Sequence, residues 1–211
     1  KLKSSVSFSY VKTDAENRNV TGYNNANPLQ GFTQWWQSQL DVKRLQEQQN
    51  TTQGNQYTWN PVGITTDSNG QFQSFNPNPN YFDNPYWVRE NNLQNDTKNR
   101  LFGNVNLSYD ISENLKLTTQ FGTDLFQFSI REGVPFRSVD GSRYAETERR
   151  FQETNMEVRL NYNKNINENF TFNGFLGANR MRQFSKRITA QTNGGLVVDR
   201  FFNIGNSIDS P

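Results

Sequence analysis

The chain of 211 residues contains no cysteine and no histidine. Without thiols there is no disulfide, no thiolate metal site and no sulfur nucleophile. Without imidazole the commonest general base and the commonest zinc ligand are missing. No run of about 18 apolar residues exists, which excludes a transmembrane helix. Hydrophobic residues make up 32% of the chain and the mean hydropathy is −0.93. A globular domain usually reaches about 45–50% apolar residues. Such a deficit by itself points to disorder, but 14% of the residues are aromatic, and disordered chains are poor in aromatics. The net charge is only +2, with acids and bases mixed along the chain, so no nucleic-acid partner is expected. Carboxylate pairs such as Glu146 with Glu148, or Asp110 with Glu113, lie on or beside strands that read as solvated, and no phosphate-cradling glycine motif is present. No catalytic, cofactor-binding or metal-binding residue is expected, and no enzyme. Lys1-Leu2-Lys3 is followed by no apolar core and is not a signal peptide. The chain opens inside a strand pattern and stops in loop chemistry at Asp209-Ser210-Pro211, so a piece of a longer polypeptide is expected.

What the chain does have is alternation. Leu101, Val105, Leu107, Tyr109 and Ile111 are apolar, and Asn104, Asn106, Ser108 and Asp110 between them are polar. A period of two puts one apolar and one polar face on a strand. Ser112-Glu113-Asn114 breaks the pattern, and it resumes from Leu115 to Leu125, with Lys116, Thr118, Gln120 and Asp124 on the other face. Two long strands with a short polar turn make an antiparallel hairpin. Soluble strands usually run about 5–6 residues, and membrane-spanning ones roughly 9–11. These runs have the longer length, and both faces have a solvent, lipid on one side and water on the other. Low hydrophobicity follows, because only every second residue must be apolar.

The same pattern predicts strands over approximately 1–11, 99–111, 115–130, 146–163 and 168–190. At Phe126, Phe128 and Ile130 the apolar parity switches, which predicts a bulge or a strand leaving the bilayer. Connections alternate long and short, as in an outer-membrane barrel. Tyr109, Tyr162 and Phe170 flank the short turns, where an interfacial aromatic girdle belongs. The turns around Asn114 and Asn167 are expected in the periplasm, and the long loop 12–98 and the segment 131–150 outside. One short helix is expected in that loop, capped by Asn27, with Pro28 at its first position and Leu29, Phe32, Trp36 and Leu40 on one face. The stretch 54–79 reads as loop chemistry throughout. Aromatics in Tyr81-Phe82-Asp83-Asn84-Pro85-Tyr86-Trp87 can stack on sugar rings or anchor the loop.

Four stretches carry a resemblance. They are 32–41 (Phe-Thr-Gln-Trp-Trp-Gln-Ser-Gln-Leu-Asp), Asp83-Asn84-Pro85-Tyr86-Trp87, Asn99-Arg100-Leu101-Phe102-Gly103-Asn104, and Asn193-Gly194-Gly195-Leu196-Val197-Val198 with Phe201 and Asn203. In their order and spacing the chain resembles the SusC/RagA-type TonB-dependent transporters of the Bacteroidetes outer membrane. The resemblance implies a 22-stranded barrel with an N-terminal plug, a SusD-like surface lipoprotein as lid, and TonB-driven import of glycans or peptides. The fold class expected is therefore all-β: an antiparallel transmembrane β-barrel segment of about five strands, with long extracellular loops. The plug and the TonB-interacting segment lie outside this sequence. No cofactor is expected; the partners are the lid, TonB through the absent N-terminal region, outer-membrane lipid, and the glycan or peptide. Trp35, Tyr57, Trp59 and Trp87 are the candidates for lid or substrate contact. Trp36, Asp83, Asn84, Pro85 and Tyr86 are the candidate loop anchors. The other readings left open are a structural or adhesive outer-membrane barrel without transport, and a secreted soluble β-domain that binds carbohydrate.

Overall fold

A computed structural model describes residues 1–33, 38, 40–50 and 55–211. It is mainly antiparallel β-structure with a few short helices. Five long strands, β1 (Leu2–Ala15), β4 (Leu93–Asp110), β5 (Leu115–Val134), β6 (Arg143–Asn167) and β7 (Phe170–Gln191), form one open sheet in the order β1-β4-β5-β6-β7. Between β1 and β4 lie β2 (Pro61–Thr66), β3 (Phe72–Pro79) and the helices α1 (Pro28–Thr33), α2 (Val42–Glu47) and α3 (Pro85–Asn91). A small ribbon of β8 (Asn193–Leu196) and β9 (Ser207–Asp209) ends the chain, where a loop was expected.

The chain forms two compact units. The first comprises Lys1–Asp14, Thr97–Ser129 and Glu148–Ile188, the bodies of the long strands. Their register is antiparallel throughout. Asp110 donates its backbone N–H to the carbonyl of Lys1 (3.0 Å), and Asn106 and Tyr10 bond Ser5 and Asn99 further along β1 and β4. Ile111 and Ser112 close the β4–β5 turn on the carbonyl of Leu115 (2.9 and 3.1 Å). Asn163 N–H to the Asn114 carbonyl (2.8 Å) aligns β6 with β5, and Gln183 to Glu153 (2.6 Å) aligns β7 with β6. Gly103 sits where β1 crowds β4: a Cβ there would collide with the Ser7 carbonyl and Phe8.

The sheet has two unlike faces. One carries Val6, Phe8, Tyr10, Leu107, Tyr109, Phe121, Met156, Phe172 and Leu176, all exposed. The other is polar and cross-linked. Arg100 grips Asp124 with two bonds (2.9 and 2.5 Å). Phe126 lies on this polar face. Lys98 and Arg149 stand 4.6 and 5.9 Å from its ring centre, and Phe151 stacks on it at 5.2 Å. Past this parity switch β5 runs on to Val134.

The second unit comprises Ala15–Asp96, Ile130–Thr147 and Thr189–Pro211. Two expectations are corrected here. The stretch 54–79 is not loop throughout: β2 and β3 pair as a hairpin, with Ile64 opposite Phe75. Asp67 holds its turn by accepting the N–H of Asn69 and Gln71 (both 2.9 Å), and Gly70 supplies a positive φ of 78°. Within 12–98, where one helix was expected, the described residues form three short ones, and only α1 falls within 27–40. Asn27 does cap α1, accepting the N–H of Leu29 (3.2 Å). The described part of α1 reaches Thr33, whose hydroxyl donates to the Leu29 carbonyl (2.8 Å), and Trp36 lies outside the described residues. Gln30 and Gly31 face inward and Leu29 faces solvent.

Candidate functional site

The buried apolar residues of the molecule lie in the second unit, in several small groups. Ala26, Trp87 and Val88 pack together with Val20 against them, and Leu45, Phe82, Val134, Tyr144 and Leu196 are buried as well. Amide side chains tie the 45–84 stretch together. Asn84, completely buried, accepts the N–H of Tyr86 (2.9 Å), which caps α3. Pro85 takes the first helical position, where no N–H is needed. The Asn84 amide donates to the carbonyls of Leu45 and Tyr57 (both 2.8 Å), tying α2 and the 55–60 segment to α3. Asn60 does the same for the next turn: its side-chain oxygen accepts from the backbone N–H of Asn80, Tyr81 and Phe82 (3.1, 2.8 and 3.1 Å).

Asp83 sits between these hubs. Its carboxylate accepts from the amides of Asn25 (2.6 Å) and Gln56 (2.9 Å), the hydroxyl of Ser138 (2.5 Å) and the backbone N–H of Val139 (3.1 Å). Burial pushes its pKa up, and these four donors oppose the rise. The carboxylate joins three stretches remote in sequence. Of the anchor candidates, Asp83, Asn84 and Pro85 are therefore buried and tied in. Tyr86 is half-buried against Phe32, edge to face at 5.4 Å.

The contact candidates are distributed differently. Trp87 is 2% exposed and is a core side chain, so its ring presents no surface to a lid or substrate. Its place as the third residue after the Asn84 cap turns it inward. Tyr57 is half-buried under the Arg44 guanidinium, 4.6 Å from its ring centre. Trp59 is half-buried. Trp35 and Trp36 lie outside the described residues.

The open aromatic surface lies elsewhere in this unit. Tyr23 (71% exposed) and Tyr81 (69%) line a recess of about 440 Å³ with Asn24, Asn25, Phe82, Asp140 and Arg143. Tyr23 meets the edge of Phe82 at 5.9 Å, which fixes one wall. The Asn25 amide is bound to Asp83 through both its nitrogen and its oxygen, which leaves two exposed rings, the Asn24 amide, Asp140 and Arg143 as groups that can stack on a sugar and bond its hydroxyls. Hairpin β2–β3 adds a second exposed surface, with Val62, Ile64, Phe72 and Phe75 uncovered. Of the recess residues, the sequence brought forward only the Tyr81-Phe82 segment. Asp140 carries only the turn signal of Asp140-Gly141, and Tyr23, Asn24, Asn25 and Arg143 carry none, because only folding brings 23–25, 81–82 and 140–143 together.

Among the described residues no group of three Asp, Glu, His or Cys side chains converges to hold a metal ion. No described helix is long and apolar enough to cross a membrane, which says nothing of crossing by strands. Compared with models of known protein families and with curated proteins, the sequence matches none of them.

Proposed function

We propose that this chain is part of the wall and outer loops of an outer-membrane transport barrel of the SusC/RagA type. In this reading it works with TonB and a SusD-like lipoprotein lid to import glycans or peptides. One observation carries the membrane part: five neighbouring strands expose a continuous apolar face while the opposite face is polar and cross-linked. On β4 the apolar stretch runs from Leu101 to Tyr109, nine residues, within the roughly 9–11 that a tilted membrane-spanning strand needs. An apolar surface of this extent needs a cover. Both β1 and β7 also end the sheet with long unpaired edges, which closure with further strands would satisfy. Within this reading Lys98, Arg100, Asp124, Phe126 and Arg149 face the lumen. The recess around Tyr23 and Tyr81 is the candidate for first contact with substrate, and the β2–β3 hairpin the candidate for contact with the lid.

The test uses the absence of native cysteine. Ser68→Cys, in the β2–β3 turn, should react with an impermeant maleimide on intact cells. Glu113→Cys, in the β4–β5 turn, should react only after the outer membrane is opened. Labelling of Glu113→Cys alone on intact cells reverses the topology, and release of the protein into the medium favours the secreted carbohydrate-binding reading.

A further inference from the structure

The apolar face of the sheet does not stay apolar along the whole of β6 and β7. On β6 the alternate positions Tyr162, Leu160, Val158 and Met156 are followed by Thr154, Gln152 and Arg150. On β7 the matching positions Phe170, Phe172, Leu176 and Ala178 are followed by Arg180, Arg182, Phe184 and Lys186. The contacts Gln183–Glu153 and Asn179–Asn155 (2.8 Å) set the two strands in register on the opposite face, so the change of character falls at one level on both. At that level Arg150, Gln152, Thr154, Arg182 and Phe184 enclose a recess of about 470 Å³.

Among the described residues Arg150 and Arg182 make no ion pair with a carboxylate, and no acid lines the recess. The nearest acid along β6 on this face, Glu148, accepts the Ser129 hydroxyl (2.7 Å). Two guanidinium groups share one concavity with hydroxyl and amide donors beside them. The ligand chemistry this fits is a phosphate, whose several oxygens match forked donors.

We infer that this recess binds the phosphate of a lipid headgroup in the leaflet around the sheet. It rests on the membrane reading above. A lipid is the occupant, rather than a free anion, for two reasons. The recess opens on the same face as the apolar stretch and directly beyond its end, the level at which headgroups stand. Its wall also includes the exposed ring of Phe184, apolar surface that a free ion does not use.

The experiment uses the whole protein purified in a neutral detergent and reconstituted into vesicles of phosphatidylcholine, with or without phosphatidylglycerol. Lipid that stays with the protein on re-extraction is identified by mass spectrometry. Wild type should retain phosphatidylglycerol over phosphatidylcholine by at least about five-fold, the scale of roughly one kcal/mol per basic side chain near a headgroup. Arg150→Gln with Arg182→Gln should bring the ratio close to one. Lys116→Gln with Arg159→Gln, which removes the same charge from the polar face, should leave it unchanged. Incorporation without enrichment, equal loss in both double variants, or displacement of the lipid by inorganic phosphate at matched concentration overturns the lipid site and leaves the membrane reading standing. Failure of wild type to enter either kind of vesicle overturns the membrane reading, and the inference with it.

Discussion

The two units of this molecule use one composition in opposite ways. In the first, apolar side chains point outward and polar ones are cross-linked on the other face: Val6, Leu107 and Leu176 are exposed while Arg100 holds Asp124. In the second, a small core around Trp87 and Val88 is supported by buried amides, Asn84, Asn60 and Gln56, that bond backbone groups remote in sequence. Low hydrophobicity therefore has two meanings here. In the sheet it reflects alternation. In the insertion it reflects side-chain hydrogen bonds that satisfy the backbone of segments lacking regular structure.

That difference predicts where single changes hurt most. Asn84→Ala leaves the carbonyls of Leu45 and Tyr57 and the N–H of Tyr86 without their partner in a fully buried place. At about 1–3 kcal/mol for each orphaned group, the second unit should lose at least about 3 kcal/mol. Limited proteolysis should then cut within 15–96 while the sheet remains protected. Loss of protection in the sheet to the same degree would show that the two units do not differ in this way.

In the sheet the sensitive face is the apolar one. Leu107→Arg should cost about 2–4 kcal/mol if lipid covers that side chain. Asn106→Arg, one residue away among Ser5 and Asn104, should be tolerated. The measurement is the yield of assembled protein in membranes. Equal tolerance of both changes would remove the distinction between the faces.

Asp83 sharpens the contrast through pH. Its folded pKa is raised by burial above the ordinary carboxylate value. The folded unit therefore holds this proton more tightly than the unfolded chain does. The stability it contributes is present below the unfolded pKa and is lost as pH rises through the folded one. Hydrogen exchange in 15–96 should accordingly quicken as pH is raised through that window, after correction for intrinsic exchange. Asp83→Asn should abolish this dependence. It should also lower stability by about 1–3 kcal/mol at every pH, because an amide NH₂ then meets the Asn25 or Gln56 donor. An unchanged pH dependence in Asp83→Asn would assign the effect to another group.

The contrast also explains what could be read from the sequence. The long strands were legible because a period of two is local, and their central residues fall where alternation puts them. Their ends were not: β4 begins at Leu93, six residues before the expected start, because Gln94 to Lys98 are polar and join the strand through cross-strand bonds such as Thr97 to Asp14 (2.9 Å). Hairpin β2–β3 was hidden because Pro61, Pro77 and Pro79 read as breakers, although they stand at or near the ends of a two-stranded ribbon, where proline is tolerated. The inward turn of Trp87 depends on the Asn84 cap, and the partners of Asn84 lie up to 39 residues away. No local pattern encodes that.

The smallest effect on stability should come from the residues proposed to matter most for transport. Tyr23 and Tyr81 are largely exposed and lie at the mouth of one recess, with Asn24, Asn25, Asp140 and Arg143 around them. Truncating an exposed ring usually changes stability by no more than about 0.5 kcal/mol. Tyr81→Ala should therefore leave proteolytic protection and membrane level near wild type. Tyr23→Ala should do nearly the same, apart from its edge contact with Phe82. If the rings stack on substrate, each loss should weaken capture by roughly five-fold or more, the scale of about 1 kcal/mol for a stacking contact. The double variant should weaken it further without lowering stability. Growth on the transported nutrient at limiting concentration, at matched membrane levels, reads this out. Trp87→Ala is the contrasting variant: removing a buried Trp should cost about 3–5 kcal/mol and lower the amount of folded protein before any effect on capture can be measured. Wild-type growth for the Tyr23/Tyr81 double variant would remove the recess from the substrate path. It would leave the exposed face of the β2–β3 hairpin as the next surface of this unit to vary.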